Sequence, residues 1–160
     1  MRTCVFAGTF DPITKGHEKV VKTCLSLFDE VVVAVGVNAG KTPLFSREER
    51  VELAKKTFEG VKGVRVATFD GLLVDFMRSN GYEINVRGVR NVDDYKYETE
   101  MFNYNTDMYP ELKTVYVPAT SDSVYISSSA LRSLYRAGGD LGMYLPENAV
   151  ETADRMLKSK

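Results

Sequence analysis

The run Val31-Val32-Val33-Ala34-Val35-Gly36-Val37 constrains the fold of this chain more than any other segment. Side chains of a strand alternate between two faces, so a strand with no polar position is covered on both. Strands of that kind belong to parallel sheets wrapped by helices, because a half-solvated antiparallel sheet keeps a polar face toward water. Just upstream, Thr3 to Ala7 reads as a strand, and Gly8 with Asp11-Pro12 reads as a turn. Val20, Val21, Cys24, Leu25 and Phe28 then fall on one helical face. Together these segments predict one βαβ unit.

The alternation continues downstream. Ser46-Arg47-Glu48-Glu49 is a capping box that opens a second helix, expected to end near Glu59-Gly60. Val64 to Phe69 follows as a third strand, and Leu72, Leu73, Phe76 and Met77 mark a helix that Gly81 can stop in a left-handed cap. Ile84-Asn85-Val86 is strand four. A helix from about Asp93 to Asp107 carries Tyr97, Met101 and Tyr104 at helical spacing, and Thr114 to Val117 is strand five. Ser127 to Ala137 forms the next helix, closed by Gly138-Gly139, and Pro146 starts the last. The pattern predicts an α/β fold: a Rossmann-like, doubly wound, five-stranded parallel sheet with helices on both faces and right-handed crossovers. Ligands of such sheets bind at the carboxyl ends of the strands, near the switch point. With 160 residues and no repeat, linker or low-complexity stretch, the reading is a single domain over 1–160.

Composition narrows the function classes. A formal charge of -1, from 21 basic and 22 acidic residues mixed along the chain, gives no general field for nucleic acid or an acidic membrane. Bound phosphates must therefore meet local clusters. The start, Met1-Arg2-Thr3-Cys4-Val5, has no signal-peptide hydrophobic region, and no apolar run reaches membrane-spanning length, so a soluble cytoplasmic protein is expected. Cys4 and Cys24 lack C-x-x-C spacing and read as small core residues. His17 is the single histidine, which argues against a zinc site of the usual Cys/His kind.

The chemistry lies in the segment that joins the first strand to the first helix, Gly8-Thr9-Phe10-Asp11-Pro12-Ile13-Thr14-Lys15-Gly16-His17. Gly8 lets backbone approach a ligand, Thr9 offers a hydroxyl and an N–H, and Pro12 stiffens the turn. Thr14 can cap the helix, so that free N–H groups and the positive dipole end face an anion. Gly16 keeps Cβ bulk away from phosphates, and His17 aims its imidazole at the same place. The plain alternative is packing of His17 at the helix start, and the glycine-rich turn before it favours function. Arg87 and Arg90 could be solvated surface charges, but they follow a buried strand where the ligand crevice should lie. Ser127, Ser128 and Ser129 open a helix and offer hydroxyls and N–H groups to phosphates, one of them sufficing as a cap. Glu48, Glu49 and Glu52 read as a solvated helix face. Gly36 to Thr42 imitates a phosphate-binding P-loop, but three residues separate its glycines where four are needed, and Pro43 follows instead of a helix.

The turn segment resembles the Thr/His-x-Gly-His signature of the nucleotidyltransferase superfamily. Four blocks in order and spacing narrow the resemblance to the phosphopantetheine adenylyltransferase family: Gly8 to His17, Pro43 to Arg50, Arg87-Gly88-Val89-Arg90 with Asp94 to Glu98, and Ile126-Ser127-Ser128-Ser129. The resemblance covers nearly the whole chain. It implies transfer of AMP from ATP to 4'-phosphopantetheine, giving dephospho-coenzyme A and pyrophosphate. It implies that His17 stabilises the transition state at the α-phosphorus, with no covalent intermediate. It assigns Thr9, Lys41, Leu73 and Arg87 to the acceptor, Lys41 and Arg87 on its phosphate and Leu73 through its backbone. The ATP set it implies is Thr9, Phe10, His17, Gly88, Val89, Arg90, Glu98 and the stretch Ser123, Val124, Tyr125, Ile126, Ser127, Ser128, Ser129. Magnesium (Mg2+) enters with ATP, held mainly by phosphates and water. A homohexamer and coenzyme A as a candidate inhibitor belong to the same implication.

Ala7, Glu100, Thr106 and Ser123 depart from the family pattern, which has proline, glutamine, a basic residue and an aromatic as the common residues there. Two other readings share these residues. One is a sister adenylyl- or cytidylyltransferase acting on another phosphorylated acceptor, such as nicotinamide mononucleotide. The other is a non-catalytic nucleotide-binding module.

Overall fold

The computed structural model describes residues 1–37 and 42–160. Five strands, β1 (Thr3–Gly8), β2 (Glu30–Val35), β3 (Val64–Thr68), β4 (Ile84–Val89) and β5 (Lys113–Pro118), form one sheet in the order β3-β2-β1-β4-β5. Every pairing is parallel. Six helices accompany them: α1 (Lys15–Leu25), α2 (Arg47–Thr57), α3 (Leu73–Ser79), α4 (Val92–Met108), α5 (Ser128–Arg136) and α6 (Glu147–Lys158).

As far as Val35 the apolar run does what its lack of polar positions requires; Gly36 and Val37 lie beyond the strand, and Val37 is 55% exposed. Val31, Val33 and Val35 join a core with Val20, Val21 and Cys24 of α1, Leu53 and Ala54 of α2, Leu131 of α5, and Ala149, Ala153 and Met156 of α6. Val32 and Ala34 face the other way, onto Val74 and Met77 of α3 and onto Tyr109 and Leu112. All five residues Val31 to Val35 are 0% exposed, so β2 is covered from both sides. Cys4 and Cys24 are buried and free, as small core residues should be.

Local signals hold at the helix ends. Ser46 Oγ accepts from Glu49 N while the Glu49 carboxylate accepts from Ser46 N, the reciprocal box read from the sequence. Helix α2 ends at Thr57 with Phe58 as its cap, two residues before the expected stop. Gly81 follows α3 at a φ of 68°, the left-handed stop. Helix α4 departs from simple expectation in its burial. Tyr97, Met101 and Tyr104 have helical spacing, yet they are 57%, 37% and 64% exposed, and α4 contributes no buried residue at all.

The sheet order locates the site. From β1 the chain winds outward through β2 and β3, then returns to the other side of β1 for β4 and β5. The crossovers therefore part between β1 and β4, and the crevice opens beyond Gly8 and Val89 at the carboxyl ends of those strands. Of the described helices none is long and apolar enough to cross a membrane.

Leu53, 1% exposed between α2 and the sheet, tests this core. Leu53→Ala is expected to lower unfolding stability by about 2–5 kcal/mol, read as a lower denaturation midpoint at unchanged denaturant slope.

Candidate active site

A cleft of about 490 Å³ lies at the switch point, within the range of small-ligand sites. Its floor is the turn between β1 and α1, and that turn is held from outside. Thr9 O accepts from Arg50 Nη1 at 2.6 Å, Asp11 O from Arg132 Nη1 at 2.7 Å, and Pro12 O from Ser128 Oγ at 2.8 Å. The Asp11 carboxylate, 2% exposed, accepts from Leu44 N at 2.9 Å and Phe45 N at 2.8 Å, which fastens the turn to the segment before α2. Between these anchors Phe10 adopts a φ of 49°. An aromatic L-residue rarely sits there, at a cost of about 1–3 kcal/mol.

His17 stands at the third position of α1 and completes an unusual capping box with Thr14. Thr14 Oγ1 accepts from His17 N, and Thr14 N donates to His17 Nδ1 at 3.0 Å. A nitrogen that accepts an N–H carries a lone pair, so the ring proton resides on Nε2. Around the ring, Phe10 packs edge-on at 5.0 Å and 83°, and Phe6 lies at 6.0 Å. Burial lowers the imidazole pKa from 6.5 to about 4, with the Arg90 and Arg87 charges pushing the same way. The imidazole is thus a neutral donor at ordinary pH, aimed by its helix.

Cations line the opposite wall. Arg87 Nε and Nη2 form a fork on Glu98 at 2.8 and 2.7 Å, while Nη1 donates to Ala7 O at 2.7 Å. Arg90 is held by Asp94 through Nε at 2.9 Å and Nη2 at 3.1 Å. Both carboxylates come from α4, one turn apart, and each fixes the plane of its guanidinium while leaving outer N–H groups toward the cleft.

Comparison with known proteins gives the arrangement its relatives. A family model described as cytidylyltransferase-like matches residues 5–134. A phosphopantetheine adenylyltransferase of Campylobacter fetus is 43% identical over 150 residues, covering 94% of each chain. One from an Azoarcus species is 38% identical over 156 residues, covering 98% of this chain and 96% of its own. The chain belongs to the phosphopantetheine adenylyltransferase family. Among solved structures, a bifunctional NMN adenylyltransferase/ADP ribose pyrophosphatase of Francisella tularensis matches with a TM-score of 0.71 at 19% identity. That match covers 92% of this chain and 46% of the longer one, and it speaks for the fold alone.

Of the residues that the resemblance to this family singles out, the cleft gathers Thr9, Phe10, His17, Arg87, Gly88, Val89, Arg90, Glu98, Ser123, Ile126, Ser127, Ser128 and Ser129. Lys41 lies outside the described residues. Leu73, the first residue of α3, and Val124 and Tyr125 do not line the cleft. Tyr125 is 66% exposed. Two expectations about the helix start change. Thr14, Lys15 and His17 already have acceptors for their N–H groups, Lys15 on Tyr144 O at 2.9 Å, which leaves the Gly16 N–H for an anion. A Cβ on Gly16 would sit 3.4 Å from Thr14 Oγ1 and 3.9 Å from two carbonyls, which is ordinary contact with the protein.

The serines divide their tasks. Ser127 caps α5 through Ala130 N, Ser128 holds Pro12, and Ser129 accepts from Arg132 Nη2 at 3.0 Å. Asp11, Arg50, Asp94 and Arg132 line the cleft without having been singled out as site residues. Asp94 and Glu98 carried a readable signal, an acid pair at helical spacing four apart like a facing pair of arginines three apart. Asp11 and Arg50 look like turn and helix-surface residues until the fold buries them.

The shifted imidazole yields a pH test. Its folded pKa lies below the unfolded value, so between about 4 and 6.5 the unfolded chain binds a proton that the folded one refuses. Stability from this group is complete above 6.5 and is lost as the pH falls toward about 4. Nitrogen NMR on the single imidazole is expected to show no titration from pH 8 to 6, the ordinary range for histidine. A midpoint near 6.5 would refute the neutral donor.

Proposed function

We propose that this chain is a single nucleotidyltransferase domain over 1–160 that moves AMP from magnesium-bound ATP to 4'-phosphopantetheine, releasing pyrophosphate and dephospho-coenzyme A. Family membership supports the reaction. The observation that carries the mechanism is the His17 ring, whose proton is placed on Nε2 by Thr14 N at 3.0 Å, facing a wall of paired arginines.

In this reading an oxygen of the acceptor phosphate attacks the α-phosphorus of ATP in line. A new P–O bond forms as the bond to the β-phosphate oxygen breaks, and the electron pair leaves with pyrophosphate. Such a transfer needs positioning and charge neutralisation more than covalent help. His17 donates from Nε2 to an α-phosphate oxygen as charge gathers there. Arg87 and Lys41 take the acceptor phosphate, Thr9 meets both substrates, and Leu73 offers its backbone to the acceptor's amide arm. Arg90 with Gly88, Val89 and the α5 start takes the triphosphate, joined by Arg132 beside Ser129. Glu98 stands on the nucleotide side, and its carboxylate also steadies Arg87. Magnesium would enter with ATP, held mainly by phosphate oxygens and water, and would neutralise triphosphate charge; the described residues gather no group of three or more His, Cys, Asp or Glu that could hold an ion. A cytoplasmic location, a homohexamer and inhibition by coenzyme A are parts of the same proposal.

Purified protein with ATP, magnesium and 4'-phosphopantetheine is expected to release pyrophosphate and form dephospho-coenzyme A. Equal turnover of nicotinamide mononucleotide would overturn the acceptor. His17→Ala is expected to lower kcat about a hundredfold to a thousandfold, the scale of one lost donor to a developing anion, with ATP affinity little changed. Near-normal turnover in folded His17→Ala would remove the histidine from the chemistry. In calorimetry Arg87→Ala is expected to weaken the acceptor more than ATP, and Arg90→Ala the reverse; matched losses would make the two arginines one undivided site.

A further inference from the structure

Arg50 has no part in the reaction as described, yet it is the most enclosed cation among the described residues of the cleft, 3% exposed. It reaches from α2 to two neighbouring strand ends. Its Nη1 donates both to Thr9 O, beyond β1, at 2.6 Å and to Gly36 O, beyond β2, at 2.7 Å. Its Nε is buried without a hydrogen-bond partner among the described residues. A guanidinium kept only for the fold would normally have its buried donors matched. Here the geometry at one peptide is favoured over full satisfaction of the side chain.

That peptide is the one preceding Phe10. Thr9 O lies in the plane whose rotation into Phe10 is the φ of 49°, a conformation that relaxes unless something fixes the plane. The bond to Gly36 O gives Arg50 a second, rigid foothold on β2. Downstream, the Phe10 ring stands edge-on against the His17 imidazole at 5.0 Å and 83°, and against Phe6 at 5.4 Å and 72°. A short chain of contacts thus runs from α2 to the catalytic ring. We propose that Arg50 is a positioning residue for adenylyl transfer: it pins the Thr9–Phe10 peptide so that the Phe10 ring holds the His17 imidazole in its reacting orientation.

This inference rests on the proposed reaction, and its test separates the two. Arg50→Lys keeps the charge and the reach to one carbonyl; Arg50→Met removes both bonds. Full-length variants are compared with the parent in three measurements: melting, steady-state kinetics with ATP and 4'-phosphopantetheine, and nitrogen NMR of histidine-labelled protein. The last reads His17 alone, since the chain has one histidine, and it needs no substrate. The parent is expected to show one Nε2–H tautomer. The variants are expected to show averaged or shifted ring nitrogens, with kcat lowered about tenfold to a hundredfold, the effect of a small misplacement at the reacting centre. ATP affinity stays close to parental, and Lys lies between parent and Met. A folded variant with the parental His17 spectrum, or with parental kcat, overturns the proposal. Should Met fail to fold, the Lys variant decides alone. An inactive parent would overturn the reaction while the His17 spectra still judge Arg50.

Discussion

Three carbonyl oxygens, those of Thr9, Asp11 and Pro12, leave the sheet at the end of β1 and find their hydrogen bonds on side chains rather than on a neighbouring strand. The site depends on this. A buried backbone acceptor without a partner is costly, so each of these carbonyls draws a donor toward the turn. Arg50 comes from α2, and Arg132 and Ser128 come from α5, which brings two helices distant in sequence onto one ten-residue stretch. The Asp11 carboxylate supplies the converse, accepting two amides of the segment that leads into α2. The crevice at the switch point is thereby closed from below while its upper side stays open.

Charge in the cleft is arranged in the same spirit. A neutral imidazole shares the cleft with Arg90 and Arg87, and its neutrality follows from burial first and from those cations second. The arginines are each steadied by one carboxylate, so the wall is rigid without being dominated by either sign. Under the proposed reaction an arriving phosphate meets donors whose directions are already set, and little reorganisation remains at the moment of transfer.

How much of this was legible in the sequence varies with the range of the interaction. The apolar run of β2, the box of Ser46 with Glu49 and the left-handed stop at Gly81 are local or nearly so, and they emerged as read. The second capping box escaped notice because the third helical position usually carries Glu or Gln, and here a histidine fills the acceptor's role with a ring nitrogen. Asp11 looked like a turn former, and only the packing of residues 43–45 against it shows a buried carboxylate with two amides. Arg50 was read only as the last residue of a block that resembles the family, just inside the helix opened by the Ser46 box. Spacing gave the helix and was silent on its burial: Tyr97, Met101 and Tyr104 follow the helical period on a helix with no buried residue. Periodicity reports which residues share a face, and it leaves open what that face meets.

Helix α4 has a mechanical consequence. It carries Asp94 and Glu98, the two carboxylates that aim Arg90 and Arg87, yet none of its 17 residues is buried in this chain. Helices of this length gain most of their stability from packing, not from propensity. Its ties to the sheet include the ion pairs of Asp94 with Arg90 and of Glu98 with Arg87 and the packing of Tyr95 on Tyr116. Both guanidiniums thus take their bearings from one helix, Arg87 through two hydrogen bonds and Arg90 through two from its side chain and one from its backbone. What orients the two cations of the cleft is therefore a helix whose other side holds Tyr97 and Tyr104 in solvent.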